Sequence, residues 1–339
     1  MKLIYQFTIC VALLMLTGAR FAEAQSEQQL DFEDYVASLK QQALSKGYSE
    51  AFLGPIFASI EQREKVVKAD RNQPERRLTL DTYLETRVPD WKVKQAMEQY
   101  ELHRETLERV ASQYNVQARF IVALWGNESN FGRIQGNHPI ISSLVSLAHE
   151  GRRQTLFESQ FFAALDILQQ GHIALEDFNG SWAGAMGQSQ FMPSSFLNFA
   201  VDANGDGKKD IWGTPEDVFA SIANYLNKEG WNGSQTWGRQ VKLSDTFPID
   251  KIEDLEGLSS TRKKTLQQWQ ELGVTRFDGS ALPSASLSAG LILPDGPTGR
   301  IYLVYGNFDT LMRWNRSYYF GVSVAYLSER IAKGIGEGL

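Results

Sequence analysis

The most constraining feature of the sequence is an apolar run that stops just before an acidic residue. Residues 117–125 are rich in Phe, Ile, Val and Leu, which predicts a buried helix, and residues that stop a helix follow at once. Glu128 then lies at the negative end of a helix dipole, between Trp125 and Phe131. Both surroundings raise the pKa of a carboxyl toward the range useful to a general acid in glycosidic bond cleavage. The alternative is an ordinary surface glutamate near a helix end.

Helical patterns dominate the rest of the chain. Apolar residues at helical spacing predict helices over 157–169, 218–228 and 318–331. Residues 240–243 and 301–305 favour β-strands instead, with a helix predicted over 260–272 between them. The predicted fold class is therefore α+β and mainly α.

We divide the chain into five segments by these patterns and by the Gly, Pro and Ser residues that separate them. They are a signal peptide (1–24), an N-terminal helical region (25–115), a core (116–232), a small α/β insertion (233–310) and a C-terminal helix that returns to the core (311–339). A chain of this length exceeds what one hydrophobic core normally holds.

The first segment has the pattern of an export signal. Lys2 precedes an apolar stretch at 9–16, and an A-x-A pattern ends at Ala24, so we expect cleavage after Ala24. The apolar stretch is shorter than the roughly 20 residues of a spanning helix, and no membrane anchor is predicted. Cys10 lies inside this stretch, where it cannot become a lipidated first residue. The exported chain then has no cysteine and depends on its core, or on a metal, for stability.

Charge and aromatic content favour one class of ligand over another. The formal net charge is −6, whereas a nucleic-acid-binding protein is normally basic, so no nucleic-acid partner is predicted. Phe, Trp and Tyr make up 12% of the residues. Aromatic rings supply the core and also stack on the faces of sugars.

A second cluster, residues 181–195, combines small residues with neutral polar ones. Four small residues at 183–187 let the backbone come close to a ligand, and Ser181 and Gln190 offer neutral hydrogen bonds that suit a polysaccharide. The alternative is a tight loop before a helix, packed by its own apolar side chains such as Phe191.

Four motifs together resemble the membrane-bound lytic murein transglycosylase B family. They are Glu128-Ser129-Asn130-Phe131-Gly132, Ala183-Gly184-Ala185-Met186-Gly187 with Gln190-Phe191-Met192-Pro193-Ser194-Ser195, Ala223-Asn224-Tyr225 before Gly230-Trp231, and Asn315-Arg316-Ser317 before Tyr318-Tyr319. They occur in the family's order and cover residues 80–331. The resemblance implies a periplasmic enzyme with a lysozyme-like helical core, which cleaves the β-1,4 bond between N-acetylmuramic acid and N-acetylglucosamine in peptidoglycan.

The resemblance also implies a mechanism with one carboxyl group. Glu128 matches the family's acid/base, which protonates the glycosidic oxygen and then takes the proton of the muramoyl C6 hydroxyl, giving a 1,6-anhydro product. No cofactor is needed for this chemistry. The expected partners are peptidoglycan strands and, by extension, proteins of cell-wall synthesis. Two alternatives stay open: a muramidase that hydrolyses the same bond with water, and a non-catalytic peptidoglycan-binding protein.

Further positions carry over from the family as substrate contacts. They are Ser181, Gln190, Tyr225, Asn315, Tyr83 and Tyr319. Trp314 stands where relatives have Tyr, and Phe320 likewise lacks a hydroxyl, so substrate contacts through these two positions are not expected to follow the family's pattern. The alternative for each aromatic residue is core packing.

A third cluster reproduces the first half of an EF-hand calcium loop. Oxygen-bearing side chains stand at positions one, three and five, and a glycine stands at position six. Position twelve is Gly213 where a glutamate is expected, so a later acidic residue has to close the site. The predicted structural calcium site comprises Asp202, Asn204, Asp206, Lys208 and Asp217. The alternative is a turn stabilised by its own Asp, Asn and Gly residues without an ion.

Overall fold

The computed structural model describes residues 30–71 and 78–337. The predicted signal peptide lies outside the described residues. The chain divides into two compact units, Met1–Tyr48 and Ser49–Leu339. The first contains helix α1 (Phe32–Ser45), which begins where the Asp31 side chain accepts a hydrogen bond from the backbone N–H of Phe32.

The second unit is mainly helical. Its helices are α2 (Glu50–Ala58), α3 (Glu64–Arg71), α4 (Leu80–Arg87), α5 (Asp90–Leu102), α6 (Arg104–Tyr114), α7 (Ala118–Ser129), α8 (Ile140–His149), α9 (Gln154–Gln169), α10 (Pro193–Phe199), α11 (Pro215–Lys228), α12 (Ile252–Leu255), α13 (Leu266–Glu271), α14 (Gly306–Trp314) and α15 (Tyr318–Ile335). Its strands are β1 (His138–Pro139), β2 (Asn179–Gly180), β3 (Gly238–Leu243), β4 (Lys264–Thr265), β5 (Val274–Arg276), β6 (Ser288–Ile292) and β7 (Ile301–Val304). The helices predicted over 157–169, 218–228 and 318–331 are confirmed as α9, α11 and α15.

Helix α7 lies at the centre of the helical part. Every residue from Ala118 to Asn127 is buried, as expected for a helix that is apolar on all sides. It packs against α5, α6, α11 and α15, which surround it. The helix predicted from the apolar run of 117–125 is confirmed as α7, and its last turn carries Glu128.

The insertion is built on a five-stranded antiparallel sheet in the order β4-β6-β7-β3-β5. It has its own hydrophobic core, in which the buried indole of Trp269 donates a hydrogen bond to the carbonyl oxygen of Ala289, at 2.8 Å. The strand predicted at 240–243 is confirmed within β3, and the strand predicted at 301–305 is confirmed as β7, which ends one residue earlier, at Val304. The helix predicted over 260–272 is shorter, because a turn and β4 occupy its first half and the Thr265 side chain caps α13.

The observed secondary structure confirms the predicted class, α+β and mainly α. The five segment boundaries stay predictions. Within residues 30–71 and 78–337, no helix combines the length and the apolar character that crossing a bilayer requires.

Candidate functional site

The backbone turns sharply just after Glu128. Helix α7 ends at Ser129, and both Asn130 (φ of 51°) and Phe131 (φ of 60°) adopt left-handed conformations, which are uncommon for residues other than glycine. The Ser129 hydroxyl oxygen accepts a hydrogen bond from the backbone N–H of Gly132 at 3.0 Å. This turn reverses the chain and leaves the part-buried Glu128 side chain in the final turn of the helix.

The Glu128 carboxylate is held by a tryptophan from a distant part of the chain. Nε1 of Trp314, the last residue of α14, donates a hydrogen bond to Glu128 Oε1 at 2.5 Å, across 186 residues of sequence. The Trp314 ring packs against Tyr225, with centroids 4.6 Å apart, and against Phe191, at 5.4 Å. The fold thus joins the Glu128 motif, the 181–195 loop and the Tyr225 motif at one place.

Burial raises the pKa of the Glu128 carboxyl from its ordinary 4.5 to about 7. The hydrogen bond from Trp314 and the positive charges of Arg87 and Lys92 oppose this rise. Both forms of a carboxyl with such a pKa are present near neutral pH, so it can donate a proton and also accept one. The raised pKa expected from the sequence is confirmed, with desolvation as its largest cause.

The two cations next to Glu128 come from the N-terminal helices. Arg87 Nη2 donates to the backbone oxygen of Asn127 at 2.7 Å, and Lys92 Nζ donates to Asn127 Oδ1 at 3.4 Å. Burial, followed by repulsion from Arg87, lowers the pKa of Lys92 to about 8, while Glu128 opposes this change. The sequence analysis did not identify either cation, because no local spacing relates α4 and α5 to the end of α7.

Gln188 connects the 181–195 loop to α7. Its Oε1 accepts a hydrogen bond from Trp125 Nε1 at 2.7 Å, and its Nε2 donates to the carbonyl oxygen of Trp212 at 2.8 Å. A Cβ atom on Gly132 would lie 2.4 Å from Gln188 Oε1, at a backbone φ of +80°. A side chain on residue 132 would strain the backbone and would displace the Gln188 amide, so the turn after Glu128 and the loop are in close contact.

Two predicted sugar contacts take part in the internal structure of this loop. The Ser181 hydroxyl oxygen accepts a hydrogen bond from the backbone N–H of Ala185 at 3.0 Å. Gln190 has a φ of 51°, and its Nε2 donates to the carbonyl oxygens of Gln135 (3.1 Å) and Gly187 (3.0 Å). Both side chains are part-buried. Their established contacts hold the loop, and their contacts with a substrate stay predictions.

The remaining predicted contacts lie on α4 and around the start of α15. The rings of Tyr83 and Tyr319 meet edge to face, 5.4 Å apart. The Tyr319 hydroxyl donates to Asp295 Oδ1, and burial, with this neighbouring carboxylate, raises the pKa of Tyr319 to about 12. Asn315 is exposed next to Trp314, and its Oδ1 accepts from the backbone N–H of Ser317 at 3.1 Å.

The predicted calcium loop curls around the Asp202 carboxylate. Oδ1 of Asp202 accepts hydrogen bonds from the backbone N–H groups of Gly205 (2.7 Å) and Asp206 (3.2 Å), and Oδ2 accepts from that of Gly207 (2.8 Å). Asn204 Oδ1 accepts from the backbone N–H of Asp206 at 3.0 Å. Both the predicted calcium site and the alternative of a turn without an ion are compatible with these hydrogen bonds, so calcium binding stays a prediction.

Asp217 closes the loop from α11, where its side chain is fully buried. Its two oxygens accept hydrogen bonds from the backbone N–H groups of Ala203 (2.8 Å) and Asp210 (2.7 Å). Burial raises the pKa of this carboxyl, and these hydrogen bonds oppose the rise. In the part of the chain that the structure describes, no three His, Cys, Asp or Glu side chains are grouped to hold a metal ion.

Comparisons of the sequence and of the structure with known proteins point to the same family. The sequence matches the family described as transglycosylase SLT domain over residues 31–329. Membrane-bound lytic murein transglycosylase B of Escherichia coli (strain K12) is 30% identical over 239 residues, which cover 68% of this chain. The matched region spans 61% of that relative's length.

Solved structures share the fold. SltB3 from Pseudomonas aeruginosa, solved in complexes with NAG-anhNAM-pentapeptide and with NAG-NAM-pentapeptide, is 40% identical, with a TM-score of 0.84 over 89% of this chain and 79% of that one. The Escherichia coli lytic transglycosylase SLT35, solved in complex with calcium, is 24% identical and shares the fold, with a TM-score of 0.76 over 91% of this chain and 95% of that one. The predicted lysozyme-like core is confirmed by these structures. Since the family match extends over residues 31–329, the chain belongs to the transglycosylase SLT domain family.

Proposed function

We propose that this chain is a peptidoglycan lytic transglycosylase, which cleaves the β-1,4 bond between N-acetylmuramic acid and N-acetylglucosamine. The observation that carries the proposal is the Glu128 carboxyl, with a pKa raised to about 7 and Oε1 fixed by Trp314. The family match and the muropeptide complexes of SltB3 support the choice of substrate.

In this mechanism Glu128 acts twice. The neutral carboxyl first donates its proton to the glycosidic oxygen as the bond from that oxygen to the muramoyl C1 breaks. The muramoyl C6 hydroxyl oxygen then bonds to C1, and its proton passes to the Glu128 carboxylate. The products are a free N-acetylglucosamine 4-hydroxyl and a 1,6-anhydromuramoyl end, and no water is consumed.

The charges around Glu128 suit this double role. Burial favours the neutral acid needed for the first step, whereas Arg87, Lys92 and the Trp314 N–H favour the carboxylate formed by it. Because the opposing effects leave the pKa near 7, proton donation and proton return are both accessible at neutral pH. The C6 hydroxyl of the substrate takes the part that water plays in the second step of a retaining glycosidase, where the general acid of the first step acts as the base.

The test is mass spectrometry of the muropeptides that the purified protein releases from peptidoglycan sacculi. We expect 1,6-anhydro ends from the unmodified protein and a loss of activity of about 10⁴-fold in Glu128→Gln, because the amide cannot donate a proton of comparable acidity. Glu101→Gln is the matched control, since Glu101 is exposed and pairs with Arg104. Turnover by Glu128→Gln within about tenfold of the unmodified protein would exclude Glu128 as the general acid.

The same experiment separates the alternatives. Products with reducing ends instead of anhydro ends would identify a muramidase that uses water. Binding to sacculi without release of any product would identify a non-catalytic peptidoglycan-binding protein.

We also propose that six residues contact the glycan strand: Ser181, Gln190, Tyr225, Asn315, Tyr83 and Tyr319. The contacts among Tyr225, Trp314 and Glu128 support this for Tyr225 in particular, since its ring packs on the residue that holds the carboxyl. Substitution of Tyr225 by Ala should raise KM for glycan strands, whereas Tyr305→Ala, in the core of the insertion, should act on stability instead. Equal effects of both variants on KM would contradict the assignment.

We propose further that the 202–208 loop, closed by Asp217, binds calcium as a structural ion. The donor atoms of Asp202, Asn204 and Asp206 are all oxygens at alternate positions, which is the chemistry that calcium prefers. Asp217 accepts a backbone hydrogen bond at each of its oxygens. A carboxylate oxygen keeps a second lone pair in that case, so Asp217 can complete the ligand set together with the backbone carbonyl of Lys208.

Calcium should therefore raise the midpoint of thermal unfolding in the millimolar range. A ligand of the folded state stabilises it by about 2.7 kcal/mol at one hundred times Kd. Asp202→Ala combined with Asp206→Ala should remove the effect, and magnesium is the control ion. Identical melting curves in calcium and in chelator would contradict calcium binding.

We propose the periplasm as the site of action. The export pattern that ends at Ala24 supports this, as does the cell-envelope relative of Escherichia coli. Fractionation of cells that express the full chain should recover a periplasmic protein whose first residue is Gln25. Recovery of the uncleaved chain in the cytoplasm would contradict the proposal.

A further inference from the structure

Two tryptophan–glutamate pairs occur among the described residues of the second unit, and one of them involves the candidate general acid. Trp314 Nε1 donates to Glu128 Oε1 at 2.5 Å, and Trp237 Nε1 donates to Glu329 Oε1 at 2.7 Å. Burial raises the pKa of Glu329 as it does that of Glu128. The Trp237–Glu329 pair is therefore a control for the effect of the Trp314–Glu128 hydrogen bond on its carboxyl group.

An indole has one N–H donor and no acceptor. When Glu128 is neutral, its proton can reside on either carboxyl oxygen in principle. The carbonyl oxygen of a neutral carboxyl accepts a hydrogen bond more strongly than its hydroxyl oxygen does, so the Trp314 N–H favours the form in which the proton is on Oε2 and Oε1 is the carbonyl oxygen. The contact therefore distinguishes two oxygens that are equivalent in a free carboxyl.

We propose that Trp314 is a positioning residue that confines the catalytic proton of Glu128 to Oε2. This proposal rests on the proposed function, in which Glu128 is the general acid. It makes Oε2 the atom that donates to the glycosidic oxygen and that later receives the C6 hydroxyl proton. A tyrosine at this position would supply a hydroxyl that both donates and accepts, and it would not discriminate between the oxygens in the same way.

The packing around Trp314 keeps the indole in place independently of its hydrogen bond. The rings of Tyr225 and Phe191 pack against it, at 4.6 Å and 5.4 Å between centroids. An aromatic replacement without an N–H group can therefore keep these contacts and lose only the donor. The charged groups that act on Glu128 from the neighbouring helices, Arg87 on α4 and Lys92 on α5, stay unchanged in such a variant.

The experiment compares Trp314→Phe, and the tryptophan isostere benzothienylalanine at position 314, with Trp237→Phe. The isostere keeps the shape of the indole and replaces the N–H group by sulfur. The first readout is the infrared carbonyl band of neutral Glu128, isolated by subtracting the spectrum of Glu128→Gln. Loss of a hydrogen bond to the carbonyl oxygen should move this band to higher wavenumber in both position-314 variants and leave it in place in Trp237→Phe.

The second readout is the pKa of Glu128, from ¹³C NMR of the labelled carboxyl. Removing a donor that favours the carboxylate should raise this pKa by about one unit. Since the general acid has to be protonated, activity falls as pH rises through this pKa, and the alkaline limb of the kcat profile should move upward by the same amount. If Trp314 had only a structural role, the benzothienylalanine variant would leave both the carbonyl band of Glu128 and the alkaline limb of the kcat profile unchanged.

An unchanged carbonyl band and an unchanged Glu128 pKa in both position-314 variants would overturn the proposal. The same shifts in Trp237→Phe would also overturn it, because the effect would not depend on the contact with Glu128. Failure of the proposed function is seen separately, as retained activity of Glu128→Gln, and it does not affect either spectroscopic result.

Discussion

Replacing Glu128 by glutamine should stabilise the protein, and the gain should grow as the pH rises. The folded state holds the pKa of this carboxyl at about 7, above the ordinary 4.5 that applies to an unfolded chain. A raised carboxyl pKa contributes stability that is fully present below about 4.5 and is lost as the pH rises through about 7. Glutamine is neutral at every pH, so the Glu128→Gln variant does not lose this stability as the pH rises.

The size of the effect follows from the two pKa values. One pKa unit corresponds to about 1.4 kcal/mol, so ionising Glu128 in the folded protein costs at most about 3 kcal/mol near pH 8. Near pH 5 most of the carboxyl is neutral in the folded protein, and the cost is below about 1 kcal/mol. The advantage of Glu128→Gln over the unmodified protein should therefore increase by about 2 kcal/mol over this interval.

The assay is urea denaturation of both proteins at several pH values between about 5 and 8. Glu101→Gln is the control, because the hydrogen bond from Arg104 lowers the pKa of Glu101 and its carboxylate is ionised in both states over most of this interval. Its free-energy difference from the unmodified protein should stay nearly constant. A constant difference for Glu128→Gln as well would refute the reasoning, because it would show that Glu128 titrates alike in the folded and unfolded chain.

Two further predictions concern packing close to the site and the support of the C-terminal helices. Gly132→Ala should lower the free energy of unfolding by more than Gly171→Ala does. Both glycines have a left-handed φ, whose strain alone costs about 1–2 kcal/mol, but only a Cβ at position 132 would meet Gln188. Urea denaturation measures both losses, and equal losses would exclude the close approach to Gln188. Asn307→Ala should lower the free energy of unfolding by about 0.5–1.5 kcal/mol for each of the three hydrogen bonds that its buried amide makes with the backbone of the 232–235 loop. Thermal unfolding measures this loss, and an unchanged midpoint would contradict it.

Local features of the site follow from the sequence because they depend on neighbouring residues. The apolar run of 117–125 predicts a buried helix, and the residues after it predict the turn that follows Glu128. The same applies to the turn around Asp202, whose carboxylate accepts hydrogen bonds from residues at most five positions away. Strands β1, β2, β4 and β5 were not predicted, because each has only two or three residues. Strand β6 was not predicted because it lies in a segment rich in Gly, Pro and Ser.

The order of motifs also identified the family, because each motif keeps its residue types and spacing. It did not identify the surroundings of the carboxyl. A substrate contact through Trp314 was not expected to follow the family's pattern, and nothing in the sequence indicates that its indole reaches Glu128 from 186 positions away. Nor does it relate Arg87 or Lys92 to the same carboxyl, since these cations lie on helices of the N-terminal region.

The sequence by itself thus determined the helix that ends at Glu128, the direction of its pKa change and the family of the chain. The tertiary structure alone decided which oxygen of Glu128 accepts a hydrogen bond and which cations oppose its burial. Helix periodicity and turn formation are set by residues a few positions apart, whereas desolvation and hydrogen bonding at a carboxyl depend on whatever the fold packs against it. For Glu128, these neighbours come from α4, α5 and α14.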